Sequence, residues 1–177
     1  MANDIRAILS LDLSKPGTTL ASAITDRDAM GQFLLAEDYL TAAHIMAEGC
    51  DHESRLLQPR YMLLCQGLEL CLKAFLLDNN VPPSQLTRPP LNHDLATLLD
   101  RCLEYVASNE PFIGLEHQAI IRDLAPASSM FYFRYGHPEP ASLFNVSSIH
   151  VPLMRDALEA GRALCSVVRH RVLVFPK

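Results

Sequence analysis

The sequence predicts an all-α protein, an up-and-down bundle of about five helices. Three observations carry this. Apolar residues recur at intervals of three and four through most of the chain after residue 25. No pair of alternating apolar and polar runs suits a strand pairing. Clusters of Pro, Gly and Asn cut the periodic stretches into segments of helical length.

Residues 1–25 are expected to form an irregular arm, with Lys15-Pro16-Gly17 ending any element there, and residues 26–177 a single helical domain. The first long helix should run from about Asp26 to Cys50. Phe33, Ala36, Leu40, Ala43 and Ala47 form its buried stripe, and Asp26 or Thr25 caps its start. The second should begin near Pro59, a favoured first-turn residue, and end around Asn79-Asn80. It is apolar on most sides. Between Tyr61 and Leu77 its polar residues are Gln66, Glu69 and Lys73, along one narrow seam. Such a helix is central to its domain or covered by a partner.

Pro82-Pro83 through Pro89-Pro90 should be a stiff connection that is not helical throughout. A third helix follows from Asp94, with Leu95, Leu98, Leu99, Cys102, Leu103 and Val106 inward, and Asn109-Glu110-Pro111 stops it. A fourth starts near Leu115 and uses Ile120, Leu124 and Phe131. Pro126 should kink or break it, because the ring removes a donor and clashes one turn back. The last should open near Pro152, capped by Ser147, Ser148 or His150. Leu153, Met154, Ala157, Leu158, Gly161, Leu164, Cys165 and Val168 face inward. Arg169, His170 and Arg171 suit the negative end of its dipole.

Composition bounds the function classes. The chain has 177 residues, 49% hydrophobic and 20% charged, enough for one ordinary core. A net charge of −5 argues against nucleic-acid coating driven by bulk charge, though not against a local basic patch. Five scattered cysteines without a CxxC knuckle read as reduced, buried small hydrophobes, which fits a cytoplasmic protein. Ala21-Ser22-Ala23 imitates a cleavage site, but Asp4 and Asp12 interrupt any signal core. No run approaches the roughly 20 apolar residues of a membrane span. The expectation is a soluble protein away from membranes.

Enzyme motifs are mostly absent: no phosphate loop, GxSxG, HExxH, EF-hand loop or di-iron Glu-x-x-His pair occurs. No metal or cofactor is implied. His44, Glu48 and His52 share a helix face, but the two histidines lie about 12 Å apart along the axis, too far for one ion. Arg88 and His93 are a basic residue and a histidine at a spacing that could serve RNA cleavage, yet Pro89-Pro90 lies between them. The densest aromatic stretch is Phe131-Tyr132-Phe133-Arg134-Tyr135-Gly136-His137-Pro138. It can stack a base on Tyr135 and hold a phosphate on Arg134, with His137 across the turn. It can equally be the packed end of a helix. Glu69 and Lys73 stand at i, i+4 with the acid first, the favourable order for a helix ion pair.

Four segments together resemble the HEPN domain family. Tyr39-Leu40-Thr41-Ala42-Ala43 is similar to its first-helix run, and Gly67-Leu68-Glu69-Leu70-Cys71-Leu72-Lys73-Ala74-Phe75-Leu76 to its Glu-Leu-x-x-Lys-x-x-Leu pattern. His93-Asp94-Leu95 with Leu98-Leu99 resembles the start of its third helix, and Arg134-Tyr135 its later Arg-Tyr. The resemblance extends over residues 27–172. It implies an all-α bundle that dimerises through its long helices. Some members are ribonucleases with Arg-x(4–6)-His on a late helix, and others are binding or sensor modules. Here Arg134 and His137 are too close, Arg162 and His170 too far apart, and Arg88–His93 falls in a linker.

The resulting expectation is a non-catalytic HEPN-like homodimer that binds a nucleotide, RNA or a partner protein, in a stress or defence setting. Arg134, Tyr135, His137, His93, Glu69 and Lys73 are its candidate binding residues. One alternative is a metal-independent ribonuclease using Arg134 and His137. Another is a structural helical subunit of a complex.

Overall fold

A computed structural model describes residues 28–49, 57–106, 112–129 and 151–174. The described residues are helical, without strands. Six α-helices follow in order: α1 (Ala29–Gly49), α2 (Leu57–Asp78), α3 (Pro83–Leu86), α4 (Leu95–Leu103), α5 (Leu115–Ser129) and α6 (Met154–Arg169). A wider π-type turn, His170–Val174, closes the chain's last described stretch.

The central element is α2, which packs against α1, α4, α5, α6 and the terminal turn. Its apolar faces meet different neighbours, so nearly continuous apolarity is what this position requires. Tyr61, Leu64, Leu68, Cys71, Leu72, Phe75 and Leu76 are all buried. The sequence left open whether a second copy covers this helix. Within one chain, its own neighbours cover most of it.

Small residues let the helices approach. A Cβ at Gly67 of α2 would stand 2.6 Å from Leu40 Cγ and 3.2 Å from the Ala36 carbonyl of α1. A Cβ at Gly161 of α6 would stand 3.0 Å from Leu40 Cδ2. Leu40 thus occupies a hollow with Gly67 on one side and Gly161 on the other. Tyr61 adds a polar tie, since its hydroxyl donates to the Pro152 carbonyl just ahead of α6.

The helix ends explain several departures from the expected boundaries. The first-helix cap is Asp28, whose carboxylate accepts from Gly31 N–H at 2.6 Å. Thr25 and Asp26 lie outside the described residues. α2 starts at Leu57, so Pro59 sits two residues inside the first turn, where its missing N–H is still no loss. At its C-terminus Asn80 adopts φ 62°, Val81 N–H donates to Leu76 O at 3.0 Å, and Asn80 N–H to Leu77 O at 2.9 Å. This is a Schellman motif with asparagine in the left-handed position, and buried Val81 follows it. The proline-rich connection contains the short α3, then turns that lead to Asp94. Asp94 caps α4 by accepting from Ala96 N–H at 3.0 Å and Thr97 N–H at 3.1 Å.

Of the expected kink or break at Pro126, the break does not occur: α5 continues to Ser129. Pro126 lies in the last turn, and buried Ile121, Leu124, Ala125 and Ala127 hold that segment onto its neighbours. Ile121, rather than the expected Ile120, takes the fully buried place. In α6, Leu153 stands at the exposed cap instead of in the stripe. At the end of α6, Arg169 pairs with Glu37 of α1, and in the turn beyond it the Arg171 guanidinium lies 5.0 Å from the Phe75 ring centre. The arm at 1–25, Cys50, His52, Asn109-Glu110-Pro111, the 131–138 stretch and the caps at Ser147, Ser148 and His150 lie outside the described residues.

Candidate functional site

The narrow polar seam of α2 gathers the site. One residue of helix advances about 100° around the axis, so Gln66, Glu69 and Lys73 fall close to one line. That line faces a cleft of about 530 Å³. Gln32 of α1 borders it on one side, and Ser84 of α3 with Thr87 on another.

Glu69 and Lys73 are an interior pair, not a solvated one. Their side chains are 5% and 13% exposed, and Lys73 Nζ donates to Glu69 Oε1 at 2.6 Å. The same ammonium donates to the Asn92 carbonyl at 2.6 Å. His93 completes the group: its Nδ1 lies 3.2 Å and 3.3 Å from the two Glu69 oxygens. An ionised carboxylate only accepts, so this bond places the proton on Nδ1. The Schellman turn, α3 and the following turns bring Asn92 and His93 back onto α2. Three of the residues singled out in the sequence, Glu69, Lys73 and His93, therefore meet in one place.

An ammonium carries three hydrogens. Two of those on Lys73 go to Glu69 and Asn92, and the third has no acceptor among the described residues. Glu69 cancels the charge of Lys73, so the cleft is no bare phosphate clamp. It offers amide, hydroxyl and ammonium groups beside Leu70, Leu77 and Leu86, which suits a flat polar heterocycle or a sugar.

The other candidates are distributed differently. Arg88 is exposed in the turn after α3. His44 Nε2 stands 3.2 Å from Glu48 Oε1 on the outside of α1. Among the described residues no group of three or more His, Cys, Asp or Glu side chains converges as a metal site, and no helix is long and apolar enough to cross a membrane. Arg134, Tyr135 and His137 lie outside the described residues. Sequence reasoning missed Gln32, Ser84 and Thr87 at the cleft and the Asn92 carbonyl under Lys73. Only Gln66, on the same seam as Glu69, carried a signal.

No protein-family model, curated protein or solved structure matches this chain.

Proposed function

We propose that this protein is a non-catalytic HEPN-like binding module that takes a nucleotide in the cleft beside Glu69, Lys73 and His93. The observation that carries the reading is the largely buried Lys73 ammonium on the wall of the cleft, fixed by Glu69 and Asn92 and with no acceptor for its third hydrogen among the described residues. A cleft of about 530 Å³ falls within the usual 300–1,000 Å³ of small-molecule sites. Gln32 and Gln66 stand on the lining of the same cleft, beside Ser84 and Thr87. Phosphates extend toward solvent, since the neutralised pair offers them no net charge. The resemblance adds a homodimer and a stress or defence setting to this proposal.

The test is calorimetric titration with AMP, ATP, GMP and GTP. Saturable binding is expected, abolished by Ser84→Trp, an exposed rim substitution that fills the cleft with an indole. Absence of binding by all four, or equal binding by Ser84→Trp, overturns the assignment. Incubation with total RNA, with and without chelator, separates this reading from the ribonuclease alternative.

A further inference from the structure

On the opposite side of α2, two thiols from distant parts of the chain touch. Cys71 of α2 and Cys165 of α6, 94 residues apart, stand Sγ to Sγ at 3.8 Å. Cys71 lies two residues from both Glu69 and Lys73, which is about 200° around the helix, so this contact is separate from the nucleotide cleft. The two sulfurs differ in access. Cys71 is fully buried, whereas Cys165 is partly exposed and lines a groove of about 340 Å³ between α1 and α6. Arg162 and Arg169 stand on the same groove wall, three residues before and four after Cys165 on its helix. Arg169 is held there by Glu37.

We propose that Cys165 and Cys71 are a peroxide-reactive thiol pair, with Cys165 the attacking sulfur and Cys71 the resolving one. Attack requires a thiolate that solvent can reach, and resolution requires a second thiol already in contact. The local chemistry divides the roles in that sense. The Cys71 thiol donates to the Cys165 sulfur and lowers the pKa of Cys165; burial and Glu37 oppose this, and Arg169 assists it. Burial, reinforced by the same hydrogen bond, holds Cys71 well above the usual thiol range.

The steps balance with a hydroperoxide as oxidant. The Cys165 thiolate attacks the distal oxygen, an S–O bond forms, the O–O bond breaks, and the leaving alkoxide or hydroxide takes up a proton. Cys165 is then a sulfenic acid. The Cys71 sulfur attacks Cys165, the S–S bond forms, the S–O bond breaks, and hydroxide leaves with the Cys71 proton as water. Two thiols lose two electrons, and the peroxide gains them. The sulfurs must close by about 2 Å to reach disulfide length.

The experiment treats the native full-length chain with a few equivalents of hydrogen peroxide and maps the products by peptide mass spectrometry. The expected product is about 2 Da lighter, with a Cys71–Cys165 linkage that a thiol reductant reverses. Cys71→Ser should stop at a sulfenic acid on Cys165, trapped by dimedone, and Cys165→Ser should abolish the linkage. Cys50→Ser, Cys65→Ser and Cys102→Ser should each still form it. A native chain that forms no bond, joins a different pair, or carries its sulfenic acid elsewhere overturns the proposal. So does dimedone labelling of Cys71 in Cys165→Ser at the native rate.

Discussion

Replacing Lys73 by Met removes a charge from under a buried carboxylate while keeping most of the stem. Glu69 is 5% exposed, and the ammonium 2.6 Å away is its nearest side-chain partner. Two unit charges about 4 Å apart at an effective dielectric near 20 attract by about 4 kcal/mol. Stranding one partner of a buried pair costs about 3–5 kcal/mol. The Asn92 carbonyl also loses its donor, worth about 1 kcal/mol, while His93 remains on the carboxylate. Lys73→Met should therefore lower stability by about 3–5 kcal/mol, a large part of the roughly 5–15 kcal/mol that a domain commonly has. Glu69→Leu with Lys73→Met removes both charges, so the double variant should be more stable than Lys73→Met alone. Urea unfolding followed by far-UV circular dichroism measures the parent, Lys73→Met, Glu69→Leu and the double variant in one cycle. A loss under about 1 kcal/mol for Lys73→Met would place the pair in water. A double variant whose loss equals the sum of the single losses would show that the two charges are not coupled, and either result refutes the argument.

Gly67→Ala should destabilise by about 1–2 kcal/mol, since overpacking against Leu40 Cγ and the Ala36 carbonyl outweighs the helix propensity gained. Gly161→Ala, which meets only the movable end of Leu40 and ordinary contacts, should stay within about 0.5 kcal/mol of the parent; thermal melts showing the reverse order would sink the packing account. The Tyr61 phenol is pushed up to about 12 by burial, with Cys65 and Asp156 adding to it. The unfolded phenol ionises near pH 10, so its contribution is whole below about pH 10 and is lost as pH rises to about 12, amounting to about 2–3 kcal/mol. Tyr61→Phe should cost about 1 kcal/mol at neutral pH and flatten that alkaline fall; an unchanged alkaline slope in the variant would count against the assignment.

α1 and α6 were legible because each has one apolar stripe of helical period, α2 because its apolar run is of helical length with one polar seam, and α4 because Asp94 precedes such a stripe. Phe33, Ala36, Leu40 and Ala43 of α1 are buried as their spacing requires. Asp28 was passed over as a cap because Asp26 and Thr25 compete locally with it, and only the path of the preceding chain decides. A break at Pro126 was offered for a related reason: propensity states the cost of proline in a helix, while the neighbours that hold the turn are far away in sequence. The Glu69–Lys73 pair was visible as a spacing. Its burial was not, because that depends on where the chain after Asn80 returns. Nothing in the letters distinguishes Asn92, whose contribution is a backbone carbonyl. The contact between Cys71 and Cys165 is equally silent, since no motif spans 94 residues.

The hollow that receives Leu40 also bears on which bundle this sequence can form. Helices with long apolar faces can slide past one another by a turn and still bury similar area, so area alone leaves several alignments close in energy. Leu40 narrows that choice. A slide of one turn along α2 brings Leu63 or Cys71 to the place of Gly67, where a hydrogen atom now stands against Leu40. One leucine and one absent side chain thus fix the axial position of α1 against α2. Asn92 and His93 can then find Lys73 and Glu69 at bonding distance, because the central helix those groups share has a single height in the bundle.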